Sequence, residues 1–292
     1  MDNSLPERKE QHNSIKALQD KLSFRMSQDR KKRFGNVRPV WVKYAEEYFW
    51  DESQQDFRLL DLVNHGFLPG KSDVLDVAAG CGQFLFRALE AGYNCCGIEP
   101  EQWKMDFIRE KTLVLGRPHE WAGKVSLAVG ENMPFPDNSF DCVTSFQTLE
   151  HVQSPRKVIA EMIRVTRPGG GICLRCPDYR SAFEAHYQLP WLPLFPRPLA
   201  KSYLKILKRP ILGLDGLQYV TRPKIIDWIT QAEEGKRVIV YDENRITFEN
   251  ALRRRRLLRA APAYPVYLIF KGVKFAGRRE LDINLFIRVL KK

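Results

Sequence analysis

No apolar run in this 292-residue chain approaches the ~20 residues that a membrane-spanning helix needs. The opening stretch MDNSLPERKEQHNSIKALQ also lacks the apolar core of a secretory signal, so a cytosolic chain is expected. Cysteine is sparse. Its six positions, Cys81, Cys95, Cys96, Cys142, Cys173 and Cys176, fall in strand-like apolar stretches and not at the loop positions of a disulfide framework, so they read as reduced core residues. Cys173 and Cys176 have the spacing of a metal knuckle, yet in a strand positions i and i+3 point to opposite faces, and one ion could not take both. Internal repeats and low-complexity segments are missing too. A content of 44% hydrophobic and 28% charged residues argues against wholesale disorder.

What is present in excess is positive charge, with a formal net value of +12. The basic residues cluster in DRKKRFGNVR (29–38), LKILKRP (204–210) and ALRRRRLLR (251–259), which suits either an acidic partner or a set of solvated helix faces. Residues 1–35 are polar and poorly periodic, and the expectation there is a mobile or partly helical basic arm. Residues 36–292 then form the main domain. Trp41, Tyr44, Tyr48 and Phe49 recur at helical spacing, and a second helical stretch, DFRLLDLVNHGF, ends at Gly66.

From residue 74 strands and helices alternate: VLDVA, FLFRALEAG, NCCGIE, EQWKMDFIREKTL, KVSLAV, CVTSF, the helix after Ser154 and Pro155, then ICLRC. Such alternation specifies a Rossmann-like, mostly parallel α/β sheet flanked by helices. The proline- and aromatic-rich stretch 179–220 breaks the rhythm and reads as an inserted cap. A helix capped by Thr221, the strand RVIVY, a basic excursion over about 246–278 and a last strand near INLFIRVL complete the chain.

In an open parallel sheet the ligand lies beyond the carboxyl ends of the strands. The first such end leads into VAAGCGQF, where Gly80 and Gly82 fit the first two positions of a dinucleotide fingerprint, but Leu85 occupies the third, whose glycine packs helix on strand. NAD and FAD are therefore disfavoured. Glu99 closes the second strand and can accept hydrogen bonds from the cis diol of a ribose.

The ordered series DVAAGCG, GIEP, GENMPFPDNSFDCV, LEHV and EMIRVTRPGGG resembles the class I S-adenosylmethionine-dependent methyltransferases of the type 11 group over about residues 70–180. The resemblance implies a class I methyltransferase fold with S-adenosylmethionine as cofactor. It implies that Asp76, Ala78, Gly80 and Gly82 shape the methionine end of the pocket and that Glu99 holds the ribose. Glu131, Asn132 and Met133 would border the adenine, with backbone N–H groups reading its edge, and Gln147 would face the aminocarboxypropyl group. Ala78 stands where the family has glycine. QTLEH has Gln147 in place of the first acid of a metal-linked run known in similar quinone-biosynthesis enzymes, so no metal is assigned.

Methyl transfer from a sulfonium is an in-line displacement that needs alignment and exclusion of water. For a hydroxyl acceptor, candidates for the proton-removing group at the sheet's carboxyl edge are His151, Asp178, Glu184 and His186. Cap segments with Glu-x-His among prolines and aromatics resemble those of methyltransferases of bacterial glycan synthesis. They imply a small-molecule, sugar or lipid-linked glycan acceptor and O-methyl transfer. Two other readings stay open: a nucleic-acid-binding protein built on the arginine runs, and peripheral contact with an anionic membrane through RRRRLLRAAPAYPVYLIFKGVKF, either of them on a vestigial methyltransferase fold.

Overall fold

The computed structural model describes residues 4–35, 39–232, 237–243 and 282–290. Strand β1 (Asp73–Val77) forms because its four residues from Val74 onward are all buried between helices, as the apolar run requires. Around it β2 (Asn94–Glu99), β3 (Val125–Leu127), β4 (Phe140–Phe146), β5 (Thr166–Pro177), β8 (Val238–Asp242) and β9 (Asp282–Val289) make a seven-stranded sheet of order β3-β2-β1-β4-β5-β9-β8. The pairings from β3 to β5 are parallel, whereas β9 runs antiparallel to both β5 and β8. The strand order reverses between β1 and β4, which places the ligand crevice at their carboxyl ends.

The helices cover both faces. On one side α4 (Gln83–Glu90) buries Phe84, Leu85, Phe86 and Ala88, and α5 (Gln102–Val114) buries Phe107 and Ile108. On the other, α6 (Pro155–Val165) buries the stripe Val158, Ile159, Met162 and Ile163 against α9 (Arg222–Ala232). Cys173 joins the first core and Cys176 the second, so the two thiols do lie on opposite faces of β5. All six cysteines are free. The glycines after α6 belong to β5 itself, not to a loop beyond the helix: a Cβ on Gly171 would sit 2.5 Å from the Phe286 ring of β9, so this strand can pair only with glycine there.

Of the two states expected for the N-terminal arm, mobile or partly helical, the helical one is found. Residues Ser4–Phe34 form one helix, α1, followed by α2 (Pro39–Trp50) and α3 (Asp56–Asn64). The reason is a sparse stripe at helical spacing: Leu18 and Leu22 are buried against Cys81 and Phe107, with Met26 beside them. Phe34, at the end of α1, enters the core of the cap.

That cap consists of a two-strand ribbon, β6 (Phe183–Glu184) with β7 (Leu189–Pro190), then α7 (Arg197–Ile206) and the short α8 (Leu212–Asp215). Tyr187, Trp191, Phe195, Leu204 and Leu214 close its apolar interior. Ser154 stands before α6 without a side-chain cap bond, and the Glu131 carboxylate does that work by accepting the N–H groups of Gln153 (2.8 Å) and Ser154 (3.0 Å). The basic excursion over 246–278, with Arg253 to Arg256, lies outside the described residues. Among those residues no helix is long and apolar enough to cross a membrane.

Candidate active site

The turn after β1 is built on three alternate left-handed positions, Ala78 (φ 64°), Gly80 (φ 61°) and Gly82 (φ 81°). Alanine carries a steric cost in that region that glycine does not, so Ala78 is held there by its surroundings. The turn points backbone N–H groups toward the end of β2. There Glu99, 1% exposed, accepts the Gly80 N–H (2.9 Å), the Glu101 N–H (3.1 Å) and the Lys104 ammonium (3.2 Å). Burial raises the Glu99 pKa, against the opposing pull of Lys104 and the two N–H donors. Glu99 thus lies at the expected strand end but is not open to a crevice, because α1 and α2 cover the turn: Phe49 of α2 comes within 3.6 Å of where a Gly80 Cβ would be.

Asp76 is not free to face a ligand alone. Its carboxylate is paired with Arg58 of α3 at 2.5 Å and accepts the Thr144 hydroxyl at 3.0 Å. Arg58 is 6% exposed, with its guanidinium 3.7 Å from the centre of the Phe84 ring and 4.3 Å from that of Phe146. Sequence reading missed Arg58; the available signal was a charged residue four positions before the fully buried Leu62, on the inward face of α3. Arg58 Nε and the neighbouring Gln55 Nε2 are buried donors with no hydrogen-bond partner among the described residues. These spare donors fit the carboxylate at the methionine end of S-adenosylmethionine, and the carboxylate at the end of β2 is the type of acceptor that a ribose diol needs, although the helices before β1 cover it here.

The adenine-side residues are placed differently from expectation. The Met133 N–H donates to Glu161 Oε2 (2.7 Å) and the Asn132 N–H to Val129 (3.3 Å), so neither is spare for reading a base edge. Met133 is buried in the core and Asn132 is exposed. Gln147 is exposed just past β4 with a left-handed backbone (φ 53°).

The cap brings the catalytic candidates together. His186 Nδ1 lies 2.7 Å from Glu184 Oε1, and His186 Nε2 lies 3.3 Å from His151 Nε2. Glu184 is buried and its second oxygen accepts the Tyr187 N–H at 2.6 Å. Burial opposes charge on His186, yet Glu184 outweighs it and raises the pKa; desolvation beneath the cap and the His186 charge push His151 well below the usual imidazole value. Phe34 stacks on His186 with ring centres 5.3 Å apart. Asp178 does not join them. Burial disfavours its charge, but Arg180 clamps both of its oxygens and holds its pKa low, which leaves a poor proton acceptor. Glu150, given no role of its own in the QTLEH run, stands fully buried beside His151, and among the described residues Glu150, His151 and His186 have donor atoms that could hold a cation.

A glycine turn, an acid at the end of β2 and the strand order around β1 define a class I S-adenosylmethionine-dependent methyltransferase fold. Residues 75–174 match the family model described as a methyltransferase domain. An uncharacterised methyltransferase of Mycolicibacterium gilvum is 36% identical over 113 residues, 39% of this chain and 42% of the relative. One from Mycobacterium tuberculosis is 34% identical over 125 residues, 43% of this chain and 47% of that one. The chain spans about two fifths of the length of the curated relatives it matches first. Among solved structures, a phosphoethanolamine N-methyltransferase of Haemonchus contortus in complex with phosphomonomethylethanolamine and S-adenosylhomocysteine is 15% identical, covers 85% of this chain and 57% of that one, and has a TM-score of 0.52. At that identity the likeness is one of fold.

Proposed function

We propose that the chain transfers a methyl group from S-adenosylmethionine to a hydroxyl of a small-molecule, sugar or lipid-linked glycan acceptor held beneath the cap. The observation that carries this reading is that the Glu184–His186–His151 chain ends beside β4, at the same carboxyl edge of the sheet as the glycine turn. When bound, the cofactor supplies an electrophilic methyl group. Glu99 would hold its ribose, Asp76 with Arg58, Ala78, Gly80, Gly82 and Gln147 its methionine end, and the exposed Asn132 would flank its base by side-chain contact.

His151 is the group nearest solvent in the chain and takes up the acceptor proton, while Glu184 fixes the ring of His186 behind it. The apolar cap interior excludes water from the transfer. The glycan class is supported by the Glu-x-His motif within an aromatic cap. Calorimetric titration with S-adenosylmethionine, followed by methyl incorporation into nucleotide-sugar, lipid and RNA acceptors, tests the reading. Label in a sugar or lipid-linked sugar, lost in His151→Ala, supports it; no cofactor binding, or label in RNA alone, refutes it.

A further inference from the structure

We propose that Glu150, His151 and His186 bind one divalent transition-metal ion at the mouth of the acceptor site. This deepens the methyltransferase reading, which it needs for the ion's use but not for its binding. Glu184 takes the Nδ1 hydrogen of His186 at 2.7 Å, which fixes the tautomer and leaves His186 Nε2 with an outward lone pair. The facing atom is His151 Nε2, 3.3 Å away. Two lone pairs cannot oppose each other at that distance unless a proton or a cation lies between them.

Three features select the cation. A tetrahedral ion with metal–nitrogen bonds of about 2.0–2.1 Å sets its ligand nitrogens about 3.3 Å apart, the separation found here. A shared proton needs only two partners, yet a third donor converges: Glu150 Oε1 lies 3.8 Å from His151 Nε2, and the donor atoms of all three residues lie within 4.8 Å of one another. Finally, a carboxylate hydrogen-bonded to the rear nitrogen of a histidine is the outer support that metal-ligating histidines carry, and Glu184 supplies it while itself fixed by the Tyr187 N–H.

Two imidazoles and a carboxylate suit zinc among the common ions. The backbone holds the set in place. Glu150 accepts the Gln218 N–H on its carbonyl at 2.7 Å, which ties the segment leaving the cap to the loop after β4. His151 is 35% exposed on its side chain, so the remaining coordination position opens toward the solvent side, where an acceptor oxygen could enter. An ion there would bind that oxygen and favour its deprotonated form, taking over the part of the His151 ring, whose Nε2 lone pair it would occupy.

The test uses the full chain, stripped with a chelator and titrated with zinc by calorimetry, and with cobalt followed by visible absorption. One ion per chain with a dissociation constant of micromolar or tighter is expected, and cobalt should show the strong visible bands of a tetrahedral site. His151→Asn and His186→Ala should each weaken zinc at least about 100-fold, and Glu184→Gln about 10- to 100-fold. His151 lies at the surface, so His151→Asn keeps the fold, which a thermal melt checks. No stoichiometric zinc, or affinity unchanged in His151→Asn, overturns the proposal. S-adenosylmethionine titrated into the same samples separates the two readings: a chain that takes the cofactor but no zinc loses only the ion site, and one that takes zinc but no cofactor loses only the methyltransferase reading.

Discussion

The Glu99 carboxylate accepts the Gly80 N–H at 2.9 Å, which fastens the end of β2 to the turn after β1. Glu99→Ala removes both that lock and the diol acceptor, and should weaken S-adenosylmethionine by about 1.5 to 3 kcal/mol in calorimetry. Because burial raises the Glu99 pKa, its charge costs stability above that value, and it gains a proton at a higher pH than an exposed glutamate. Cofactor affinity should accordingly fall as pH drops through that raised value, and Glu99→Gln should flatten the dependence. Equal affinity in parent and Glu99→Ala removes the assignment.

Arg58 and Asp76 form a buried ion pair, 7% and 2% exposed on their side chains. Removing one partner leaves the other charge without compensation, so Arg58→Ala should cost about 3 to 5 kcal/mol in chemical unfolding. A loss below about 1 kcal/mol would show that Asp76 finds water or another donor.

Glu184→Gln and His151→Ala should lower turnover, the latter by about 10²-fold for a hydroxyl acceptor, without shifting the cofactor dissociation constant. Parent-like turnover in both would reduce the cap to a cover.

Leu22 is 2% exposed between α1 and the glycine turn. Leu22→Ala should destabilise the fold by about 2 to 4 kcal/mol in thermal or denaturant melts. An arm lying free of the domain would give no change.

Local patterns were readable from residues alone. The stripe of α6, the strand NCCGIE and the placing of Glu99 at its end follow from apolar spacing within ten or so residues, and the structure reproduces β2 at Asn94–Glu99. The docking of α1 was not readable, since its buried residues are too few to stand out against a polar background and only contact with Cys81 and Phe107 selects them. The same holds for Glu131, whose acid lies in a loop but serves the helix beginning 24 residues later.

By itself the sequence determined the α/β alternation, the glycine turn and the residue types at the strand ends, because each depends on periodicity and backbone sterics within one element. Tertiary structure alone decided that Arg58 reaches Asp76 and Thr144, 18 and 86 residues away, and that His186 crosses 35 residues to meet His151. Those partnerships arise from how helices and cap cross the sheet edge, and a side-chain hydrogen bond of about 3 Å leaves no trace in local spacing.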